Sequence, residues 1–411
     1  MTSTITPVRA FSLLALSAAL AACGDSTPAA TPANDAATAS DVGSAADVAD
    51  AGAAPLDAPA ATDVPVVADD DVPIVTFHPD ASSPHTAITA TPDTWTWVPF
   101  PDSACGNGSP TGIGVNLHPG STRVLIFLQG GGACWDGLTC YGVHTAANLT
   151  TGYGPAQFAS EISAFQQFVI LSRSNAQNPW HDANLVYVPY CTGDVHGGDR
   201  IIDYTFSGVH TTYHVGARNM DAFLARLALT FPHADRVTLS GISAGGFGAG
   251  IHWERVANAF PGVRVDLLDD SGPPIQPPGD RWATWRDNWN AQLPPGCATC
   301  RDHLDALLPY YAQHFPAPAR FGLLSYTYDT TISTFFGQTP DEYRTQLLAA
   351  TTRLIDPVTN ARHFYVDDHG HVLLNATGSA RGANGTVLLD WLNQMFGEAA
   401  TLPANVNPPA S

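Results

Sequence analysis

The sequence contains no lysine, so all 17 of its basic residues are arginine, against 37 acidic residues. The formal net charge is −20, although charged residues make up only 13% of the 411 residues. Because nucleic-acid binding depends on basic patches that contact phosphate, this balance argues against DNA or RNA as a partner. It also disfavours electrostatic binding to anionic lipid. The sequence lacks any apolar run of the length that a membrane-spanning helix needs.

The first 22 residues have the pattern of a targeting segment. Arg9 is the only charged residue in them, and an apolar run follows it to Ala22. Residues 20–23 read Leu-Ala-Ala-Cys, which resembles a bacterial lipobox, so we expect residues 1–22 to be a lipoprotein signal peptide and Cys23 to carry lipid. Because Gly24 follows, by resemblance to Gram-negative lipoproteins we expect anchoring in the cell envelope at the outer membrane. The alternative is an ordinary signal peptide with a fortuitous cysteine.

Residues 23–73 have the composition of a tether. They contain ten aspartates but no arginine and no aromatic residue. Such a segment cannot bury enough apolar area to offset the entropy lost on ordering, so it is predicted to be a disordered linker. A folded domain is then expected over residues 74–400, followed by a C-terminal tail at 401–411. The overall hydrophobic content of 45% is sufficient for one large core.

Six cysteines remain besides the one in the lipobox. An even number in an exported protein predicts three disulfides. Two pairs are close in the sequence, which leaves the remaining two cysteines for a long-range bridge. The spacing of the last pair also fits a redox motif or half of a zinc site, but no second half-site follows it; we therefore expect no metal and no cofactor. The expected pairs are Cys134 with Cys140, Cys297 with Cys300, and Cys105 with Cys191.

The residues 241–245 read Gly-Ile-Ser-Ala-Gly, with Ser243 at the centre. A β-favouring run precedes them at 235–239, and a helical pattern follows at 251–257. This strand–turn–helix context is typical of a nucleophile elbow, in which a sharp turn exposes the serine Oγ. The flanking positions need glycine because a Cβ there would clash with neighbouring backbone. The alternative is a chance match in a chain with 36 glycines.

Predicted strands and helices alternate along the chain. Nearly continuous apolar runs indicate strands buried on both faces of a parallel sheet, as at residues 123–128 and 184–189, and a further strand is predicted at 263–268. Helical periodicity is clearest at residues 216–231 and 341–355. The alternation predicts one α/β domain, with a mainly parallel sheet and helices on both faces.

Acyl transfer needs a nucleophile, a base, a carboxylate that orients the base, and donors for the oxyanion. Asp329 follows a late predicted strand, and two histidines follow the last one, so the order Ser, Asp, His is that of the α/β-hydrolase fold. We favour His371 as the base because an apolar run follows it at once, and His369 is the alternative. Asp356 is the alternative acid, disfavoured because it follows a helix instead of a strand.

Two further stretches fit this chemistry. The glycine-rich residues 129–135 follow a buried strand, where α/β-hydrolases place an oxyanion-hole amide. A plain turn or a phosphate-binding loop is the alternative, although no Lys-Ser/Thr pair follows to support the latter. Trp282, Trp285 and Trp289 are spaced to lie on one helix face. They either line an acyl pocket or pack the helix against the body.

Several blocks resemble the pectin acetylesterase/Notum family, and together with the lipobox they suggest a bacterial lipoprotein branch of it. Residues 128–134 resemble its Leu-Glu-Gly-Gly-x-x-Cys loop, and residues 189–196 resemble its Tyr-Cys-x-x-Asp-Val block. The elbow and residues 270–272 also match, and the similarity extends over roughly residues 90–395.

This resemblance implies an α/β-hydrolase fold and a serine carboxylesterase that removes acyl groups from oxygen through Ser243, Asp329 and His371. The implied oxyanion donors are the backbone N–H groups of Gly131, Gly132 and Ala244. The family's disulfide pattern also suggests the Cys105–Cys191 and Cys134–Cys140 pairs. At Gly132 the Notum branch carries tryptophan, which leaves the acyl-chain preference open.

The expected partner is therefore an acylated substrate, either a polysaccharide or another O-acyl ester, with membrane contact through the N-terminal lipid only. Two alternative functions remain. A polyester depolymerase or lipase-like esterase would suit exposed tryptophans. A non-catalytic surface-binding lipoprotein with a hydrolase fold would be expected to have a broken triad or a filled elbow, and neither is seen in the sequence.

Overall fold

The computed structural model describes residues 86–166, 168–315, 317–399 and 401–409. The predictions of a signal peptide over 1–22, of lipid on Cys23 and of a linker over 23–73 lie outside these residues. Within them, no helix combines the length and the apolar character needed to cross a bilayer.

The described residues contain the strands β1 (Thr96–Phe100), β2 (Thr111–Asn116), β3 (Arg123–Leu128), β4 (Asn184–Val188), β5 (Arg200–Thr205), β6 (Val209–His214), β7 (Arg236–Ile242), β8 (Arg264–Asp270), β9 (Phe321–Tyr326) and β10 (Ala361–Val366). Eight of them form the central sheet of the described domain, in the order β1-β2-β4-β3-β7-β8-β9-β10. The strands from β4 to β10 in this order run parallel, and β1 and β2 extend the sheet in antiparallel fashion. A separate antiparallel hairpin comprises β5 and β6.

Helices connect the parallel strands. The α-helices are α1 (Pro155–Phe165), α2 (Gly216–Thr230), α3 (Ala244–Ala259), α4 (Arg281–Trp289), α5 (Leu307–His314), α6 (Thr330–Phe336), α7 (Pro340–Ala350) and α8 (Leu388–Phe396). Short 3₁₀ turns occur at Val169–Leu171, Ala298–Arg301, Leu304–Ala306 and Leu373–Ala376, and π turns at Leu138–Gly142 and Thr351–Ile355.

Apolar side chains bury both faces of the sheet. In β3, Ile126 belongs to one core cluster and Phe127 to the other, because successive side chains of a strand point to opposite faces. Helix α3 contributes Val256 to the first cluster, and α8 contributes Trp391 to the second. The prediction of a mainly parallel α/β sheet with helices on both faces is confirmed.

All three predicted disulfides are present. Cys134–Cys140 and Cys297–Cys300 close loops of 6 and 3 residues, whereas Cys105–Cys191 joins positions 86 residues apart. The long-range bridge ties the segment after β1 to the segment after β4. The sulfurs of Cys297 and Cys300 are therefore bonded to each other.

Strand β2 was not predicted, because its sequence Thr-Gly-Ile-Gly-Val-Asn has two glycines, which are poor strand formers. The structure shows why glycine is required there. A Cβ on Gly112 would lie 2.2 Å from the carbonyl oxygen of Val98, and one on Gly114 would lie 2.3 Å from the ring of Phe158. Close packing of β2 against the neighbouring strand and helix thus outweighs the low strand propensity of its glycines.

Candidate active site

Ser243 lies in the sharp turn between β7 and α3. Its backbone has φ 55° and ψ −121°, a strained conformation for a residue with a side chain. A Cβ on Gly241 would lie 2.0 Å from the carbonyl oxygen of Gly245, and a Cβ on Gly245 would lie 2.1 Å from that of Leu128. Both flanking positions therefore admit only glycine, as expected of a nucleophile elbow.

Asp329 and His371 form a hydrogen-bonded pair. Nδ1 of His371 lies 2.7 Å from Oδ2 of Asp329, whose side chain is fully buried. The other carboxylate oxygen, Oδ1, accepts the N–H groups of Thr331 and Ile332 and so caps helix α6. A donated Nδ1–H leaves Nε2 as the proton acceptor, which is the tautomer that a general base requires.

The residues after His371 are bound to the end of β8. The N–H of Val372 donates to Oγ of Ser271 over 3.1 Å. The N–H of Ser243 donates to the carbonyl oxygen of Asp270 over 2.8 Å, on the same short stretch of chain. The structure thus brings the elbow and the segment carrying His371 to one place. Among the described residues, no hydrogen bond joins Ser243 Oγ to His371, and such contacts often form only when substrate binds.

The two alternative residues lie in other surroundings. His369 is exposed and its ring stacks on Tyr328, with the ring centres 4.9 Å apart. Asp356 lies 3.5 Å from Nδ1 of His363 and accepts a hydrogen bond from Asn405. The structure pairs neither of them with Ser243, Asp329 or His371.

The glycine-rich loop passes directly beside the elbow. A Cβ on Gly130 would lie 2.9 Å from Cβ of Ser243. Gly132 has φ 75°, and a Cβ there would lie 2.0 Å from the carbonyl oxygen of Thr145. Gly131 packs against Tyr190, since an added Cβ would lie 2.9 Å from its ring. Ala244 is the first residue of α3, so its N–H has no acceptor within the helix.

Gln129, at the start of this loop, is held by the block at residues 189–196. Its side-chain Oε1 accepts the N–H of Tyr190 over 3.0 Å, and its carbonyl oxygen lies 2.9 Å from Nε2 of His196. Burial lowers the pKa of His196, so the neutral ring donates this hydrogen bond. The sequence indicates this block only through its family resemblance, and no local signal in it predicts this support. The side chain of Asp194 orders the block itself, because its carboxylate accepts hydrogen bonds from the backbone N–H groups of Gly198 and Gly216.

An apolar cavity opens at Ser243. It spans about 500 Å³, counting the part open to solvent. Gly132 and Ala244 lie in its wall, and Ser243 is the only lining residue with a hydroxyl group. No lining side chain is charged. The aromatic part of the wall consists of Phe247, Trp282, Trp285, Trp289, Phe335 and Phe336.

The three tryptophans of α4 are therefore pocket residues and not surface residues. Their exposed fractions are 2% for Trp282, 7% for Trp285 and 1% for Trp289. The indole N–H groups of Trp282 and Trp289 donate to carbonyl oxygens of Arg301 and Cys134, which leaves apolar ring surface for the cavity. The assumption that these tryptophans are exposed, which favoured a polyester depolymerase, is wrong.

One group of potential metal ligands occurs in the part of the chain that the structure describes. It comprises Cys134, Cys140 and His214, whose ligand atoms lie within 4.8 Å of one another. Both sulfurs belong to the same disulfide, so neither is available as the thiolate that a zinc ion would need.

Comparison with known proteins gives two kinds of match. Residues 97–279 match the family model for pectinacetylesterase. The chain is also similar to palmitoleoyl-protein carboxylesterases. It is 32% identical to notum1' of Xenopus laevis over 181 residues, which are 41% of this chain and 34% of that protein. It is 30% identical to human NOTUM over 179 residues, again 41% of this chain and 34% of that protein.

The chain thus matches about a third of the length of these curated relatives. The matches show similarity to the pectinacetylesterase family, and the mainly parallel sheet agrees with the α/β-hydrolase fold of that family. The family model covers Ser243 and the glycine-rich loop but ends before Asp329 and His371. The assignment of those two residues therefore depends on their geometry.

Proposed function

We propose that the chain is an exported serine carboxylesterase that hydrolyses an O-acyl ester through an acyl-enzyme on Ser243. The observation that carries the proposal is the position of Ser243 on a strained elbow, at the wall of an apolar cavity. The hydrogen-bonded pair of His371 and Asp329 supplies the base. Three disulfides support export, because such bonds persist in oxidising compartments.

The proposed reaction has two halves. Nε2 of His371 accepts the proton of Ser243 as Oγ attacks the ester carbonyl carbon, and Asp329 stabilises the imidazolium that forms. The N–H groups of Gly131, Gly132 and Ala244 are the proposed donors to the oxyanion. The imidazolium then protonates the leaving alcohol oxygen. In the second half His371 deprotonates a water molecule, which attacks the acyl carbon. The bond to Ser243 Oγ then breaks, the imidazolium returns its proton to Oγ, and the carboxylic acid is released.

The cavity supports an acyl group longer than acetyl. Its wall of tryptophan and phenylalanine rings includes no charged side chain. Each methylene buried there contributes about 0.8 kcal/mol, so four more methylenes than acetyl contribute about 3 kcal/mol to transition-state binding. The sugar or other alcohol part of the substrate would remain outside the cavity.

Hydrolysis of a series of p-nitrophenyl esters from acetyl to palmitoyl, beside acetylated pectin, tests this proposal. We expect kcat/KM to rise from acetyl to longer chains until the cavity is filled, and Ser243→Ala to abolish every activity. A preference for acetyl esters together with rapid deacetylation of pectin would contradict the longer acyl group. Activity that survives in Ser243→Ala would contradict the serine esterase itself.

No observation favours a polyester depolymerase or a non-catalytic binding protein. The buried tryptophans remove the support for a polymer-degrading surface. A non-catalytic binding protein would be expected to show a filled elbow or a broken acid–base pair, whereas the elbow opens into a cavity and the His371–Asp329 hydrogen bond is formed.

We further propose that the mature protein is anchored through lipid on Cys23 in the outer membrane of a bacterial cell envelope. The support is the lipobox at residues 20–23 and the glycine that follows it. The aspartate-rich residues 23–73 would then act as a spacer between the membrane and the esterase domain.

A further inference from the structure

Asp270 is a buried carboxylate to which the proposed reaction gives no role. It is the last residue of β8, near the middle of the sheet, and it is fully buried. Its Oδ1 accepts the N–H of Leu373 over 3.1 Å and the Oγ–H of Ser271 over 3.0 Å. Its Oδ2 accepts the N–H of Leu374 over 2.7 Å. One carboxylate thus holds the backbone that directly follows His371.

The same residue also contacts the elbow. The carbonyl oxygen of Asp270 accepts the N–H of Ser243 over 2.8 Å. Ser271 Oγ, which donates to the Asp270 carboxylate, accepts the N–H of Val372 over 3.1 Å. The segments carrying the nucleophile and the base therefore meet at Asp270, one through its main chain and the other through its side chain.

The backbone held in this way is strained. Val372 has φ 67°, an unusual value for a β-branched residue. Such a conformation costs on the order of 1–3 kcal/mol and persists only where its surroundings impose it. The 3₁₀ turn Leu373–Ala376 begins directly afterwards, and its first N–H groups have no acceptor within the turn. The Asp270 carboxylate supplies the missing acceptor to two of them.

We propose that Asp270 is a positioning residue for the proposed esterase reaction: its ionised carboxylate fixes the backbone after His371, and so places the imidazole relative to Ser243. The inference rests on the proposed function. Asp270 does not line the cavity, and its carboxylate acts through Leu373, Leu374 and Ser271.

The protonation state of Asp270 decides whether its carboxylate can hold the backbone that follows His371. Burial raises its pKa to about 6, while the N–H groups of Leu374 and Leu373, the Ser271 hydroxyl and the nearby His371 act in the opposite direction. Asp269, its neighbour in β8, is itself buried with a raised pKa. Asp329 is the other carboxylate at the site, paired with His371.

Above about pH 6 the ionised Asp270 accepts all three hydrogen bonds. Below it, the protonated oxygen becomes a donor and opposes one of them. Acid should therefore inactivate the enzyme by two protonations, one on the base His371 and one on Asp270.

The test is the variant Asp270→Asn, which keeps the size of the side chain but replaces one acceptor by a donor. We expect kcat to fall by about 100-fold, the loss typical of a misplaced catalytic group, with a much smaller change in KM. The acid limb of log kcat against pH should change its slope from two to one. Labelling of Ser243 by a fluorophosphonate should slow in parallel.

Asp266→Asn is the matched control. Asp266 is also fully buried in β8, but it pairs with Arg236 and Arg264. This variant should lose stability while its acid limb keeps a slope of two. If Asp270→Asn does not fold, Ser271→Ala removes the hydroxyl between Asp270 and Val372, and should lower kcat with the slope unchanged.

Several outcomes would overturn the inference: a slope of one in the unmodified protein, an unchanged slope in Asp270→Asn, or full kcat in Ser271→Ala. Loss of stability in Asp270→Asn with normal kcat would show a purely structural role. Activity in Ser243→Ala would instead refute the proposed function, so the two failures are distinguishable.

Discussion

Asp329 makes two different contacts with its two carboxylate oxygens: Oδ2 lies 2.7 Å from Nδ1 of His371, and Oδ1 caps helix α6. The residue is therefore both a helix cap and the partner of the imidazole. Substitutions that preserve one contact and remove the other can separate these two roles.

Asp329→Asn should retain the cap, because the amide oxygen can still accept the N–H groups of Thr331 and Ile332. Its amide nitrogen would then face His371 and favour the wrong tautomer, so kcat should fall about 10⁴-fold with little loss of stability. Asp329→Ala should show a similar fall in kcat, and it should also lose about 1 kcal/mol of stability because the helix cap is missing. Steady-state kinetics and thermal unfolding of both variants check this. Equal stability of the two variants would show that the cap contributes nothing.

Ser243→Ala and His371→Ala should each lower kcat by several orders of magnitude. The double variant should be little worse than either, because nucleophile and base act as a unit. His369→Ala is the control, since its exposed ring stacks on Tyr328 and should leave most activity intact. A fluorophosphonate should label the unmodified protein and not Ser243→Ala. If His369→Ala is the variant that inactivates, the base has been assigned to the wrong histidine.

The features that could be predicted from the sequence are those with a local cause. The elbow around Ser243 is recognisable because both flanking glycines are sterically required. The strand Arg123–Leu128 is recognisable because burial on both faces leaves an unbroken apolar run. Helix α6 was missed, since its sequence Thr-Thr-Ile-Ser-Thr-Phe-Phe is rich in β-branched residues, and its cap was interpreted only as a catalytic acid.

The unpredicted part of the site depends on long-range contacts. Nothing local distinguishes Asp270 from the other aspartates, and its role appears only when residues about 100 positions later reach its carboxylate. The tryptophans of α4 were correctly placed on one helix face, but whether that face lines a cavity is decided by α6 and the glycine-rich loop.

The long-range disulfide should stabilise the domain most. Replacing both Cys105 and Cys191 by serine should lower the free energy of unfolding by about 2–5 kcal/mol, because the bridge closes a long loop in the unfolded chain. The matched replacement of Cys297 and Cys300, which close a loop of 3 residues, should have a smaller effect. Denaturant titration measures both. A larger loss from the short bridge would contradict the loop-entropy explanation.

Cys23→Ser should release the protein from the membrane fraction, because the thioether that would carry the lipid can no longer form. The unmodified protein should remain with membranes after a high-salt wash, since a chain of net charge −20 has little electrostatic affinity for anionic lipid. Fractionation followed by immunoblotting measures this. Retention of Cys23→Ser with membranes would rule out the lipobox interpretation.

Gly132→Ala should damage the proposed oxyanion loop more than it damages the fold. Gly120 provides a matched control, because its φ of 80° is close to the 75° of Gly132 while a Cβ there meets nothing within 4 Å. Gly120→Ala should therefore show only the backbone cost of positive φ, about 1–2 kcal/mol, with normal kcat.

Gly132→Ala carries the same cost and also places a Cβ 2.0 Å from the Thr145 carbonyl oxygen, so the loop must move. Loss of one oxyanion donor would lower kcat by about 10²–10³-fold. Comparing kcat and unfolding temperature for the two variants separates these effects, and normal kcat in Gly132→Ala would contradict the dependence of catalysis on the position of this loop.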